Sequence, residues 1–121
     1  MKKILISSVI VATSFLSTQV YAVLDDLLKA ANNGDAESQY KLGNMYYLGE
    51  GVSRNYFEAI KWYREAAKQG HAKAQNNLGV MYANGKGVRY NLERARIFYG
   101  EACDNGSQEG CNNYNAILNK R

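Results

Sequence analysis

The sequence predicts an all-α protein, a short solenoid of two full helix-pair repeats with a half-repeat helix at each end. Three observations predict it. The chain matches itself at a fixed spacing of 36 residues, each copy carries two apolar faces at helical spacing, and proline is absent, so glycine alone punctuates the helices. Self-similarity at a period of about 20 to 50 residues is the trace of stacked units, because each unit buries its apolar face only against a neighbour.

Residues 1–22 read as an export signal that precedes the fold. Lys2 and Lys3 make a short basic start, Ile4 to Phe15 is mostly apolar, and Val20-Tyr21-Ala22 supplies the residues before a cut placed between Ala22 and Val23. A retained membrane anchor needs roughly 20 predominantly apolar residues. This run instead contains Ser7, Ser8, Thr13, Ser14, Ser17, Thr18 and Gln19. No stable membrane insertion is therefore expected after cleavage, and no cysteine stands at the cut to take a lipid. The expected location is the periplasm or the medium. Residues 23–121 suffice for one small domain. Without Lys2 and Lys3 the formal charge falls from +4 to +2, spread along the chain, which gives no electrostatic case for nucleic acid or an anionic membrane. Export also makes a Cys103–Cys111 disulfide the default, since these are the two cysteines of the chain.

The next segment, 23–34, is expected to be an N-terminal capping helix. It enters the repeat register through Ala30-Ala31-x-x-Gly34, which matches Ala66-Ala67-x-x-Gly70 and Ala102-Cys103-x-x-Gly106. Repeat 1 spans 35–70 and repeat 2 spans 71–106, with 15 of 36 positions identical. In the first helix of each, Leu42, Met45 and Tyr46 recur as Leu78, Met81 and Tyr82 on one face. In the second helix, Ala59, Trp62, Tyr63 and Ala66 recur as Ala95, Phe98, Tyr99 and Ala102. Gly43 and Gly79 stand inside the first helices, where glycine costs about 1 kcal/mol against alanine. Their recurrence suggests that a neighbouring helix approaches closely there. Residues 107–121 continue as a shorter first half of a third unit, a C-terminal capping helix.

At these residues the chain resembles the Sel-one-like repeat (SLR) family, a relative of the tetratricopeptide repeat. The pattern A-x-x-x-L-G-x-x-Y-x-x-G-x-G-V-x-x-N-x-x-x-A-x-x-W-Y-x-x-A-A-x-x-G is nearly complete from Ser38 to Gly70, and repeat 2 departs from it with Phe98 and Cys103. The resemblance implies antiparallel helix pairs in a right-handed α-solenoid that binds a protein or peptide. The segment "ACDNGSQEGC", Ala102 to Cys111, is similar to the C-x7-C unit of exported cysteine-rich SLR proteins of Gram-negative bacteria. In those relatives the pair is a disulfide between the end of one helix and the start of the next. A short turn around Gly106 would bring two such helix ends near enough for the bond.

Several motifs invite a chemical reading. Gly85-Lys86-Gly87 looks like the start of a phosphate loop, but no strand precedes it and Gly49-Glu50-Gly51 stands at the same place one repeat earlier. A helix-helix turn that uses glycine at positive φ accounts for both copies. Ser38-Gln39-Tyr40-Lys41 matches the S-x-x-K of penicillin-interacting serine enzymes. The register explains a small residue at 38, since Ala74 and Gly110 are its counterparts, and no K-[ST]-G follows. His71 is the single histidine, and with the thiols paired no cluster of zinc spacing remains. No catalytic residue, metal site or cofactor is assigned.

The resemblance places the first helices along a concave groove. Tyr40, Asn44 and Tyr47, with their register partners Asn76, Val80 and Ala83, lie opposite the apolar face and should meet a ligand there. The competing reading is that Tyr40 and Tyr47 pack sideways against the next helix. The functional expectation is an exported interaction module holding a protein or peptide partner, with a monomer as the expected state. The alternatives are a weak β-lactamase or penicillin-binding protein, and an immunity or inhibitor protein against a toxin.

Overall fold

The computed structural model describes the backbone of residues 2–120 and the side chains of residues 17–120. Among the described residues there are six helices and no strand: α1 (Lys2–Asn32), α2 (Ala36–Leu48), α3 (Tyr56–Lys68), α4 (Ala72–Asn84), α5 (Leu92–Asp104) and α6 (Gln108–Leu118). Each packs on the next in chain order, the arrangement of a helix-pair solenoid, and α6 also reaches back to α4. The all-α solenoid read from the repeat is the observed architecture.

Each boundary follows from local chemistry. Asp35, His71 and Ser107, 36 residues apart, cap the starts of α2, α4 and α6 by accepting a backbone N–H bond from Ser38, Ala74 and Gly110. Asn55 and Asn91 do the same for α3 and α5. At the other ends, Gly49 and Gly85 close α2 and α4 at φ 72° and 62°, the left-handed conformation that costs glycine no Cβ clash. The following loop is pinned in both repeats by one backbone bond, Asn55 N–H to the Tyr46 carbonyl at 2.8 Å and Asn91 N–H to that of Tyr82 at 3.0 Å. The glycine pairs therefore shape turns.

The interior runs along the stack. Ala59, Tyr63 and Ala66 of α3 pack with Ala74, Leu78 and Met81 of α4, all essentially inaccessible. Trp62 and Leu42 are covered by Ala31, with Leu24, Leu27 and Leu28 against them, so residues 24–31 of α1 act as a lid on the first repeat. The helix α1 runs without a break through position 22, and the basic and apolar parts of the expected signal, Lys2 to Phe15, lie outside the described side chains.

Gly43 and Gly79 prove to be points of close approach. A Cβ on Gly79 would sit 2.5 Å from two ring atoms of Tyr99, and one on Gly43 would meet the Tyr63 ring in the same way. Both rings are buried, so neither can step aside freely. Overpacking costs about 1–3 kcal/mol, partly offset by alanine's helical advantage of about 1 kcal/mol. Gly79→Ala is expected to destabilise the protein by about 1–2 kcal/mol in urea unfolding. A gain in stability would show that α4 and α5 do not pack through this glycine.

Candidate partner-binding groove

Helices α2 and α4 enclose a cleft of about 380 Å³, bordered by Asn44, Tyr47 and Leu48 on one side and Asn77 and Val80 on the other. Tyr63 lies behind it and Glu109 of α6 stands at its edge. A second depression of about 480 Å³ lies between α4 and the α5–α6 turn, with Tyr40 and Asn76 in its lining.

The floor of the first cleft is a small polar network. Tyr63 donates its hydroxyl to Asn44 Oδ1 at 2.7 Å, and Asn77 Nδ2 donates to the same oxygen at 3.4 Å. Burial pushes the Tyr63 hydroxyl above the ordinary tyrosine range, which keeps it a donor. With Asn44 Oδ1 occupied twice, its Nδ2 keeps its donor capacity and Asn77 Oδ1 its acceptor capacity, on two residues that border the cleft. Apolar Val80 and the Tyr47 ring flank them.

The glycine-loop lysine contacts one of the tyrosines that line this cleft. Lys86 Nζ donates to the Tyr47 hydroxyl at 3.0 Å and lies 5.3 Å from the Tyr47 ring centre and 6.0 Å from that of Tyr56. Its bond to Tyr47 and the nearby phenols raise its pKa, so it is a fixed positive charge beside Tyr47.

The six residues expected in the groove divide. Asn44, Tyr47 and Val80 line one cleft together. Tyr40 borders the second depression while its ring stacks on His71 at 4.6 Å and tilts against Tyr63 at 6.1 Å. Tyr47 likewise leans on Tyr56 at 5.4 Å. Sideways packing and a groove-lining position thus coexist in both tyrosines. Ala83 is half-buried against the Tyr82 and Tyr99 cluster and borders neither cleft. Asn76 departs from expectation: it is 2% exposed, and its Oδ1 accepts from Asn113 Nδ2 at 3.0 Å. Helix α6 closes over that position, and the polar amide serves as its docking point. Asn77, Leu48 and Glu109 were not anticipated; Asn77 sits at the register position of exposed Lys41, so nothing in the repeat marks it.

The residues that suggested other chemistry are engaged elsewhere. Ser38 is 8% exposed and donates its hydroxyl to the Asp35 carboxylate within the α2 cap, where that bond and the Ser38 backbone N–H hold the Asp35 carboxyl below its usual range. His71 caps α4 through Nδ1 at 3.2 Å, and its Nε2 meets Glu37 at 2.7 Å. Because Nδ1 accepts the Ala74 N–H, the proton is on Nε2 and points to Glu37. Among the described residues no group of three His, Cys, Asp or Glu side chains could hold a metal ion, and no helix is long and apolar enough to cross a membrane. Cys103 and Cys111 form a disulfide with a Cα–Cα distance of 4.5 Å, joining the end of α5 to the start of α6.

Comparison with known proteins agrees with this geometry. The Sel1 repeat matches twice, at residues 36–71 and 72–107. A Sel1 repeat protein from Oxalobacter formigenes is similar at 40% identity and a TM-score of 0.70, over 73% of this chain and 36% of its own. A protective antigen of uropathogenic Escherichia coli displaying an SLR fold is 38% identical with a TM-score of 0.70, over 72% of this chain and 19% of its own. Helicobacter pylori cysteine rich protein B is 28% identical with a TM-score of 0.68, over 71% of this chain and 65% of its own. The chain therefore spans less than two thirds of each of these solved structures. No curated protein sequence matches it. Two consecutive repeats cover well over half of the chain, with caps, turns and close-approach glycines recurring in step, and the protein belongs to the Sel1 repeat family.

Proposed function

We propose that the protein is an exported interaction module that holds an extended peptide segment of a protein partner in the cleft between α2 and α4. Sel1 repeat proteins act as protein–protein interaction modules. The observation that carries the peptide reading is the Asn44–Asn77 pair. Asn44, oriented by the Tyr63 hydroxyl, presents an amide donor beside the Asn77 acceptor. A peptide backbone offers the complementary carbonyl and N–H at every residue. Tyr47 and Val80 supply apolar contact for side chains next to it, and tyrosine gives large area at little entropic cost. Lys86, bound to the Tyr47 hydroxyl, favours an acidic residue in the partner over a basic one. The disulfide supports residence in an oxidising compartment, as an export signal at residues 1–22 would provide.

The test uses a partner captured by the wild-type protein from periplasmic extract of the producing bacterium. A Tyr47→Ala, Asn77→Ala, Val80→Ser variant should bind that partner at least about tenfold more weakly, a small loss for residues at the centre of an interface. Its helical circular dichroism should be unchanged, since all three side chains are only partly buried. Undiminished binding by a folded variant would remove the groove assignment.

A further inference from the structure

On the other side of α4, between α3 and α5, lies a larger cleft of about 720 Å³. Ala67 and Phe98 form its apolar wall over the buried Leu78, and Arg64, Tyr82 and Arg94 its polar end. Arg64 Nη2 donates to the Tyr82 hydroxyl at 2.7 Å and Arg94 Nη1 to the same oxygen at 3.4 Å. The Arg94 guanidinium also lies 5.6 Å from the Tyr82 ring centre. Two cations thus converge on one neutral oxygen. Among the described residues neither guanidinium is in an ion pair, and Glu101, which also borders the cleft, pairs with neither.

This arrangement leaves two neighbouring cations without a carboxylate partner among the described residues. Like charges held at hydrogen-bond range of the same atom repel, and one phenol oxygen uses few of the five N–H donors that each guanidinium carries. Burial would raise the pKa of Tyr82, yet the bonds from Arg64 and Arg94 hold it below the ordinary tyrosine value, a sign of the positive potential there. A carboxylate offers two oxygens in a plane and a full negative charge, the geometry that guanidinium groups bind best. The apolar wall beside it suits a hydrocarbon or aromatic body.

We propose that Arg64 and Arg94 form a second binding site, independent of the α2–α4 groove, for the carboxylate of a small apolar acid whose body lies against Ala67 and Phe98. The ligand takes the donors now spent on Tyr82. The site belongs to this chain's differences between repeats, since the register partners of Arg64 and Arg94 are Gly100 and Glu58.

The probe is N-acetyl-L-phenylalanine, titrated into the full chain while the ring resonances of Phe98 and Tyr82 are followed by NMR. Its uncharged counterpart N-acetyl-L-phenylalaninamide and inorganic phosphate are titrated in parallel. The expected result is saturable binding of the acid with shifts at both rings, at least about tenfold tighter than the amide or phosphate, because charge-assisted bonds exceed neutral ones. Arg64→Gln and Arg94→Gln, both exposed, should each weaken it by a similar factor without changing the melting temperature. Tyr82→Phe, which keeps the buried ring and removes the competing hydroxyl, should retain or tighten binding. Equal binding of acid and amide, phosphate binding as tightly as the acid, shifts at Val80 in place of Phe98, or unchanged affinity in the arginine variants would each overturn the assignment.

Discussion

Leu78→Ala is expected to lower the stability of the folded protein by about 2–5 kcal/mol, the range for deleting a buried leucine side chain and leaving a cavity. Leu78 is wholly inaccessible and packs with Ala59, Tyr63, Ala66, Ala74 and Met81, so one side chain joins α3 to α4 across the repeat boundary. Its neighbours cannot collapse into the space. Three of them are alanines with no side chain to extend, and the Tyr63 ring is fixed by its hydroxyl bond to Asn44. The effect therefore belongs towards the upper end of the range. For a small domain with total stability of about 5–15 kcal/mol, this is a large share. Urea unfolding of wild type and variant measures it. A loss below about 1 kcal/mol would mean that the repeat units do not meet through this residue.

Replacing both cysteines, Cys103→Ser with Cys111→Ser, is expected to cost roughly 2–3 kcal/mol in the chain-entropy model for a loop of this size. The bond ties the start of α6 to the end of α5, beside the packing that holds the rest of the helix. Gly110 lets α6 approach α5 so closely that a Cβ there would lie 2.7 Å from Ala102 Cβ, Ile117 is buried, and Asn113 docks on Asn76. Without the disulfide, α6 should be the first element to open, and amide exchange of residues 108–118 should quicken before that of α3 and α4. Because Glu109 stands at the edge of the α2–α4 cleft, partner binding should weaken as well. Equal stability of oxidised and reduced protein would contradict the anchoring role.

Much of this architecture is legible in the repeat. The spacing of 36 residues recovers both glycine turns, the close-approach glycines Gly43 and Gly79, and the interior positions Leu42, Leu78, Ala59 and Ala95, because each reflects a requirement that recurs with every unit. The sites are less legible, because a site is made from what does not recur. Asn76 reads as an open groove residue, whereas it borders the second depression nearly buried, with its amide bound to Asn113 of α6; a polar side chain on such a helix has the same pattern whether it meets a ligand or a cap. Asn77 and Lys86 stand where the first repeat has Lys41 and Glu50, so comparison of repeats dismisses them as variable. Tyr82 was counted as a core position. Its ring is in the core, but its hydroxyl lies where Arg64 and Arg94, from two different helices, converge.

The groove reading is tested most directly by a photo-crosslinking amino acid placed at one position at a time in the protein within its producing cell. Val80 borders the α2–α4 cleft, whereas Phe57 is 75% exposed at the start of α3 and borders neither that cleft nor the arginine cleft. The account predicts that a partner is crosslinked from position 80 and not from position 57. Crosslinking of the same partner from position 57, with none from position 80, would contradict it.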